Sequence, residues 1–497
     1  MRIKQLIKIL DNPRNYSGVV DFEVRGISCN SKTVKDDFVF VAVKGTREDG
    51  NRFIEEAIRK GARAVVLQSQ SHPSLPLRTS KVTKSPVKIP FIGVKDTRRA
   101  LAELAAEFYG NPSSKIKVIG VTGTNGKTTI TYLLEELIKE AGFSPAVIGT
   151  VNYRFRDKII PSKNTTPGAI ELESMLADML KTGIDYAVME VSSHALHQDR
   201  TWGINFHSAI FTNLTQDHLD YHKTLDNYFR SKARLFQDIP PGSFAVINND
   251  DKYGRRIKKL TRAGVITYGI KNKADITARD IKFDCLHTEF LLAGAELETG
   301  FRSRLIGMHN VYNVLATVAW ALREGIELSA IKSAIERFSQ VPGRLERIDS
   351  RAGFSVFVDY AHTEDALYNV IATLRQLYKK RIIVVFGCGG ERDKTKRPKM
   401  GRVVSELSDY AIITSDNPRS EDPLQIIEDI RNGINKNNYC VIPERKEAIK
   451  KSLSLAQPGD IVLLAGKGHE SYQILKDGII HFDDREAVRE CLKSMNY

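Results

Sequence analysis

The segment Val118-Ile-Gly-Val-Thr-Gly-Thr-Asn-Gly-Lys-Thr-Thr129 constrains this chain more than any other. An apolar run ends in a glycine-bearing turn, and a helical period follows in Ile130, Leu133, Leu134, Leu137 and Ile138. The expected local structure is strand, loop, helix. Such a loop aims backbone N–H groups and a helix N-terminus at one spot, which suits a phosphate. Gly123, Thr124, Asn125 and Gly126 would form the cradle, Lys127 would reach the outer phosphates, and Thr128, followed by Thr129, would hold Mg2+ through its hydroxyl. The common pattern G-x-x-x-x-G-K-[ST] needs glycine at 121, where this chain has Val121. The segment is therefore a variant nucleotide loop or a chance Gly-Lys-Thr, and the strand before it and helix after it favour the loop.

A strand–loop–helix unit of this kind belongs to an α/β fold, and the rest of the chain keeps the same rhythm. The 497 residues are enough for about three domains of ~150 residues each. The expected division is 1–112, 113–341 and 342–497. In the first stretch, Ile3, Leu6, Ile7 and Leu10 mark an amphipathic helix, Phe38–Val43 and Ala64–Leu67 read as strands, 68–90 as a surface loop, and Thr97–Tyr109 as a helix stopped by Gly110-Asn-Pro-Ser-Ser114. In the second, Tyr186–Val191, Ser208–Thr212 and Phe244–Asn248 read as parallel strands buried on both faces. Past a boundary near Gln340-Val-Pro-Gly-Arg344, strands are expected at Ser355–Asp359, Ile382–Phe386, Tyr410–Thr414, Tyr439–Ile442 and Asp460–Leu464. Asp-Asn-Pro-Arg occurs twice: at 11–14 it is a plain helix stop, and at 416–419 it follows a buried strand, where a functional loop is expected.

Bulk properties exclude several classes. No apolar run approaches the ~18–20 residues of a membrane span, and the N-terminus alternates charge with apolar residues, unlike a signal peptide. The cytoplasm is the default location, with no membrane insertion. Cys29, Cys285, Cys388, Cys440 and Cys491 are far apart, odd in number and without C-x-x-C, so free buried thiols are expected. The net charge of +14 fits nucleic-acid binding, or a protein that handles several anionic groups. Acidic residues are interspersed and no nucleic-acid-binding motif is present, so the excess reads as solvated surface and no nucleic-acid partner is expected.

Several residues carry candidate chemistry. Glu190 closes a strand, where a carboxylate can bind Mg2+ beside a phosphate loop or simply cap or pair. Asp217, His218, Asp220 and His222 crowd six residues after another strand. They could form a transition-metal site, or His218 could help hold Mg2+ while the others orient the loop. Lys232 lies on an expected helix, where its own context reads as a surface lysine. Three loops follow C-terminal strands: Gly387–Lys394 with Arg392, Ser415–Arg419 with Asp416, Asn417, Pro418 and Arg419, and Ala465–Glu470 with Gly466 and Glu470. Guanidinium for carboxylate and carboxylate for ammonium suit a zwitterion, unless these turns merely connect strands.

Taken together, these motifs resemble the Mur ligase family. The resemblance covers nearly the whole chain and rests on Gly123–Thr129, Glu190, Asp217-His218, Gly307-Met-His-Asn310-Val-Tyr-Asn313, Pro342-Gly-Arg344 and Asp359-Tyr-Ala-His362. Asn164-Thr-Thr-Pro167, Ser192-Ser-His194 and Asp416-Asn-Pro-Arg419 resemble the branch of the family that adds an amino acid to D-glutamate. The resemblance implies a UDP-binding N-terminal domain, a central P-loop-type ATPase domain with a mostly parallel sheet, and a C-terminal Rossmann-like domain. It implies a catalytic set of Lys127, Glu190, His218, Lys232, Asn310, Arg344 and Asp359, with Asn310 and Arg344 also at ATP. It assigns Ser31, Asn164, Thr165, Thr166, Ser192, Gln198 and Arg200 to the UDP-muramoyl dipeptide. Lys232 matches a lysine that is carbamylated in the family, which turns a cation into a metal ligand beside Thr128, Glu190 and His218. One departure is visible: Cys29-Asn30-Ser31-Lys32 stands where the family often has Asp-Ser-Arg, and it bears on the uridine contacts together with Thr46-Arg47-Glu48.

The activity so implied is an ATP- and Mg2+-dependent ligase that joins meso-2,6-diaminopimelate to the D-glutamate of UDP-N-acetylmuramoyl-L-alanyl-D-glutamate through an acyl phosphate. Its expected state is a monomer with small-molecule partners. Arg419 and Arg392 supply cations that a site for diaminopimelate needs and a site for lysine does not. A folylpolyglutamate synthase-like ligase shares the loop, but Asn164-Thr-Thr-Pro and Asp416-Asn-Pro-Arg argue against it. A nucleic-acid-dependent NTPase and a non-catalytic nucleotide-binding protein are the other rivals; intact Lys127, Glu190 and His218 count against the last.

Overall fold

The computed structural model describes residues 1–495 except 12, 14–19, 46–47, 70–88, 285, 295–296, 349 and 351. The expected loop at 68–90, the Thr46-Arg47 pair, the first Asp-Asn-Pro-Arg and Cys285 therefore lie wholly or largely outside the described residues. The fold is α/β with mostly parallel sheets, in two compact units.

The first unit comprises Met1–Gly120, Phe143–Ser208 and Asp238–Ser243. Strands Gly26–Ser28, Phe38–Val41, Ala62–Gln68 and Phe91–Val94 pair in that order, all parallel. Alternation sets the two faces of this sheet. Val39, Val41, Ala64 and Val66 pack with Ile3, Leu6, Leu101 and Leu104 on one side, while Phe40, Val65 and Leu67 pack with Ile54 and Ala57 on the other. The helix Thr97–Phe108 begins where Asp96 accepts from the N–H groups of Arg98 and Arg99, a cap that contributes about 1 kcal/mol. It stops as expected, at a left-handed Asn111 and the turn Pro112–Ser114. The N-terminal helix is shorter than its apolar pattern, Ile3–Lys8, though Leu10 stays buried. Elsewhere in the unit, Tyr186–Glu190 pairs parallel with Pro145–Ile148, which continues antiparallel to Asn152–Phe155 and Lys158–Pro161.

The second unit comprises Val121–Gly142, Ala209–Gln237 and Phe244–Tyr497. Here Phe244–Asn248 pairs parallel with Gly264–Tyr268. The helices Lys127–Glu140, Leu225–Asp238, Met308–Glu324 and Leu328–Arg337 belong to the same unit. An antiparallel sheet, Thr277–Phe283, Thr288–Gly294 and Leu297–Ser303, departs from the expected alternation of parallel strands and helices. Its strands carry one buried face only, so their pattern is weaker than that of doubly covered strands.

The C-terminal sheet has the order Glu346–Ile348, Ser355–Asp359, Ile461–Ala465, Ile382–Phe386, Tyr410–Ile413, Tyr439–Val441. Only the first pair is antiparallel. Val384, Phe386, Ala411 and Leu463 face one buried cluster, and Val385, Ile412, Val462 and Leu464 face the other. Burial on both faces explains why these strands read as unbroken apolar runs. It also puts the loops after Phe386, Ile413 and Ala465 side by side at neighbouring carboxyl ends, as expected.

Candidate functional site

The phosphate loop forms as the sequence requires: strand Lys117–Thr122, loop, helix Lys127–Glu140. Two glycines are obligatory by close approach. A Cβ at Gly123, where φ is +151°, would lie 1.8 Å from Thr212 Oγ1, and one at Gly126, where φ is +91°, would lie 2.4 Å from Asn313 Oδ1. The segment after strand Phe206–Phe211 braces the loop. Thr124 N donates to Asn213 O at 2.8 Å, Asn125 N to Asn213 Oδ1 at 3.0 Å, and Thr212 Oγ1 to Asn125 O at 2.6 Å. Lys127 Nζ folds back over the loop and donates to the carbonyls of Gly123 and Thr124 at 3.0 and 2.8 Å, the place an anion would take. Asn125 Nδ2 donates to Asp365 at 2.8 Å.

Around this loop the same unit gathers most of the expected catalytic set. Arg344 Nη2 donates to Thr128 Oγ1 at 3.1 Å. On the helix Met308–Glu324, Asn313 Nδ2 donates to Asn310 Oδ1 at 3.0 Å and Asn310 Nδ2 to Ile306 O at 2.9 Å, both side chains buried. Asp359 accepts from the N–H groups of Leu345 and Ala361 at 2.6 and 2.7 Å, so it fixes the turn that presents Arg344. Burial pushes its carboxyl up to about 6, against the pull of Arg344 and these two bonds.

Lys232 is not the surface lysine its context indicates. It is 1% exposed and donates to Gly123 O at 2.7 Å, with the Tyr228 ring 4.7 Å away. The helix Leu225–Asp238 turns Tyr228, Lys232 and Phe236 inward together, at a spacing of four that the charged neighbours Arg230 and Arg234 obscured. Burial, with Lys127 nearby, holds its amine well below the ordinary lysine value, although Asp217 pulls the other way. Asp217 is buried too; burial would raise its carboxyl, but His218 and Lys396 hold it well below the usual range. His218 Nε2 lies 3.4 Å from Asp217 Oδ2. His222 turns inward, with Nδ1 3.4 Å from Ser231 Oγ, and Asp220 is exposed. Among the described residues no group of three or more His, Cys, Asp or Glu side chains is placed to hold a metal ion.

Glu190 belongs to the first unit and is buried at the end of its strand, as expected. Its carboxylate accepts from Thr150 N and Thr150 Oγ1, both at 2.9 Å, and a Cβ at Gly149 would lie 2.6 Å from Oε1. Thr165 Oγ1 lies 3.1 Å from Thr150 Oγ1, Thr166 Oγ1 donates to Glu190 O at 2.8 Å, and Ser192 N donates to Thr166 Oγ1 at 3.0 Å. Tyr153 OH donates to Asn164 O at 2.5 Å. Arg200 donates to Thr166 O at 3.0 Å and to Gln198 Oε1 at 2.9 and 2.6 Å. The structure thus brings Asn164, Thr165, Thr166, Ser192, Gln198 and Arg200 into one network with Glu190.

A cleft of about 690 Å³ in this unit is lined by Gln198 and Arg200, by Cys29 and Asn30, by Arg98 and by the start of the helix Ala169–Lys181. Ser31 is not part of that lining: it is buried and its hydroxyl donates to Glu56 at 2.7 Å. Asn30 accepts from Lys32 N at 3.0 Å, capping the turn Ser31–Thr33. Cys29 is exposed and Cys440 partly so; of the cysteines described, only Cys388 and Cys491 are the buried thiols expected.

The three C-terminal loops are knitted together. Asn417 Nδ2 donates to Glu470 Oε2 at 2.8 Å, and a Cβ at Gly466 would lie 2.7 Å from Asp416 Oδ2. Arg419, half-buried with φ +55°, donates to Gly390 O at 2.7 Å, and a Cβ at Gly389 would meet its Nη1 at 3.0 Å. Gly390 packs against the carbonyl of Pro418. Arg392 is exposed on the neighbouring turn. Two guanidiniums and two carboxylates therefore surround one sheet edge, the complement of a zwitterion with a second carboxylate. Thr150 and Asp365 leave no signal in the sequence, because their partners Glu190 and Asn125 lie far away in the chain.

Comparison with known proteins agrees with this geometry. Residues 121–321 match the Mur ligase middle domain, 343–468 the Mur ligase glutamate ligase domain, and 23–109 the Mur ligase family catalytic domain. A curated UDP-N-acetylmuramoyl-L-alanyl-D-glutamate–2,6-diaminopimelate ligase of Clostridium tetani is 43% identical over 100% of both chains. A solved structure of a ligase of the same name is 34% identical, with TM-score 0.66, covering 95% of this chain and 96% of that one. A MurF ligase of Thermotoga maritima, solved in complex with ADP, shares the fold at 21% identity, with TM-score 0.63 and coverage of 95% and 97%.

Proposed function

The chain belongs to the Mur ligase family, and from that premise we propose how its residues work. The protein is an ATP-dependent acid–amino-acid ligase of peptidoglycan precursor synthesis. It adds diaminopimelate, in the meso form, to the D-glutamate of UDP-N-acetylmuramoyl-L-alanyl-D-glutamate. The observation that carries this reading is the pairing of a variant phosphate loop with a C-terminal sheet edge that offers Arg419, Arg392, Asp416 and Glu470, on a chain alike from end to end to ligases of that name.

The chemical problem is a poor leaving group. A carboxylate would have to expel oxide, so its oxygen first attacks the γ-phosphorus of ATP and ADP departs, leaving an acyl phosphate. The amine of diaminopimelate then attacks the acyl carbon, the C–O bond to phosphate breaks, and the amine proton passes to solvent. Lys127 and Arg344 neutralise charge that accumulates on the transferring phosphoryl group. Asn310, with Asn313, sets the helix that abuts Gly126 at the nucleotide loop. Thr128, His218 and Lys232 as its carbamate, all of the second unit, would hold Mg2+, which supplies further charge neutralisation, and Glu190 is proposed as a carboxylate ligand in its own unit. For that role Lys232 must first be neutral, and its burial supplies this condition. The ADP-bound relative supports ATP at the phosphate loop.

Asn164, Thr165, Thr166, Ser192, Gln198 and Arg200 hold the muramoyl dipeptide, and the cleft beside Asn30 takes the uridine end. The three matched stretches support domains at 1–112, 113–341 and 342–497. No helix among the described residues is long and apolar enough to cross a membrane. A cytoplasmic monomer that acts on small molecules completes the reading. The test is phosphate release with UDP-muramoyl dipeptide and ATP, comparing diaminopimelate with lysine. Release that depends on diaminopimelate supports the assignment; release driven by lysine, or by nucleic acid without the dipeptide, removes it.

A further inference from the structure

Lys467 opens the loop after strand Ile461–Ala465, and none of its side chain reaches solvent. Its ammonium donates to Tyr472 O at 2.5 Å, and to Asn417 Oδ1 and Glu470 Oε2, both at 3.3 Å. Asn417 donates to the same Glu470 oxygen at 2.8 Å, and Ile474 N donates to Asn417 Oδ1 at 2.9 Å. Burying an ammonium is costly unless charge and hydrogen bonds offset it. A turn that only joined two strands would have no use for one.

We propose that Lys467 is a positioning residue of the amino-acid site, which aims Asn417 and Glu470 at the incoming amino acid and keeps the Glu470 carboxylate charged to receive its ammonium. This rests on the assignment of these loops to diaminopimelate made above.

The charge balance around Glu470 supports it. The charged and titratable groups whose charge is felt at Glu470 include Asp416, Arg419, Arg445, Lys467, Tyr360 and Tyr472. Burial and the neighbouring Asp416 push its carboxyl up, while Lys467 and Asn417 pull it down. The other two cations are committed elsewhere. Arg445 pairs with Asp484 at 2.7 Å with neither exposed, and Arg419 donates to backbone carbonyls. Lys467 is the cation in contact with Glu470. Without it, Glu470 would take up a proton at higher pH, and a protonated carboxyl pairs poorly with an ammonium.

The test uses the full-length Lys467→Met and Lys467→Gln proteins, with ATP and UDP-muramoyl dipeptide saturating. The KM for diaminopimelate is measured from roughly pH 6 to 9, on both sides of neutrality. In both variants it should rise at least about tenfold at neutral pH and fall again as pH rises, with the KM for ATP unchanged. Glutamine keeps a donor, so its rise should be the smaller, with the same pH limb. A folded variant with the KM and pH profile of the unaltered enzyme overturns the proposal. If methionine prevents folding, glutamine carries the test with the same two outcomes; if neither folds, Lys467 is a structural residue and the proposal fails. No turnover of diaminopimelate by the unaltered protein would instead remove the functional reading itself.

Discussion

The guanidinium of Arg344 donates to the hydroxyl of Thr128 at 3.1 Å, joining residues 216 apart at the phosphate loop. Arg344 Nε is buried without a hydrogen-bond partner, and the guanidinium lies 4.7 Å from the centre of the Tyr360 ring. A buried donor lacking an acceptor, beside the place for the outer phosphates, is suited to an anion that arrives with the substrate. A hydrogen bond to a charged group contributes roughly 1.5–3 kcal/mol, or about 10- to 150-fold. Arg344→Ala should lose that factor in kcat/KM for ATP in initial-rate kinetics. Arg344→Lys should recover only part of it, because the planar fork is gone; a fully active lysine variant would refute this role.

Activity should depend on dissolved CO2 through Lys232. A neutral amine attacks CO2 and loses a proton to become a carbamate, and burial favours the neutral amine. Stripping CO2 from the buffer should lower turnover, and bicarbonate should restore it. Lys232→Ala should be nearly inactive, with partial rescue by a short carboxylic acid. Full activity in that variant would count decisively against the carbamate.

Arg419 should select the amino acid. Removing one partner of a buried charge pair costs about 2–5 kcal/mol, roughly 30-fold to several thousand-fold. Arg419→Ala should lose at least the lower factor in kcat/KM for diaminopimelate with little change for ATP. Lysine should be a poor substrate of the unaltered enzyme, since its terminal ammonium would face Arg419. A preference for lysine would place the enzyme in the lysine-adding branch.

Glu173 should make the first unit less stable at higher pH. It is 1% exposed on the helix Ala169–Lys181, and neither carboxylate oxygen has a hydrogen-bond partner. Burial pushes its carboxyl up from 4.5 to about 7. The folded state therefore favours the protonated form, and the unfolded chain ionises first. Stability is full below about pH 4.5 and declines as pH rises to about 7, by at most about 3 kcal/mol. Denaturant melts on the acid and alkaline sides of that window should show the slope, and Glu173→Gln should flatten it. An equal slope in the variant would assign the effect elsewhere.

Local patterns were legible in several strands buried on both faces, though Pro145–Ile148 and Phe91–Val94 were not among them. Phe244–Asn248, Ser355–Asp359 and Ile382–Phe386 run over the residues their apolar runs mark. The phosphate loop was legible because Gly123 and Gly126 are forced by contact. Lys232 was not, because one buried face of a helix studded with arginine looks like solvated surface. Nor were Thr150 against Glu190, Asp365 against Asn125, or Ser31 turned toward Glu56, since each depends on a partner brought in by the fold. Half-buried antiparallel strands such as Leu297–Ser303 were lost for want of an apolar run.

The bond from Asn125 to Asp365 ties the nucleotide loop to the first turn of the helix Glu364–Leu377. Coupling of this kind is reciprocal: whatever free energy a bound nucleotide adds to or takes from that bond, a shift of the helix returns to the nucleotide in equal measure. The enzyme then has no separate sender and receiver. A nucleotide held at that loop and the packing of the helix Glu364–Leu377 would then bear on one and the same bond. A substitution at Asp365, which touches no reacting atom, should therefore alter how strongly the binding of one substrate changes the affinity for another.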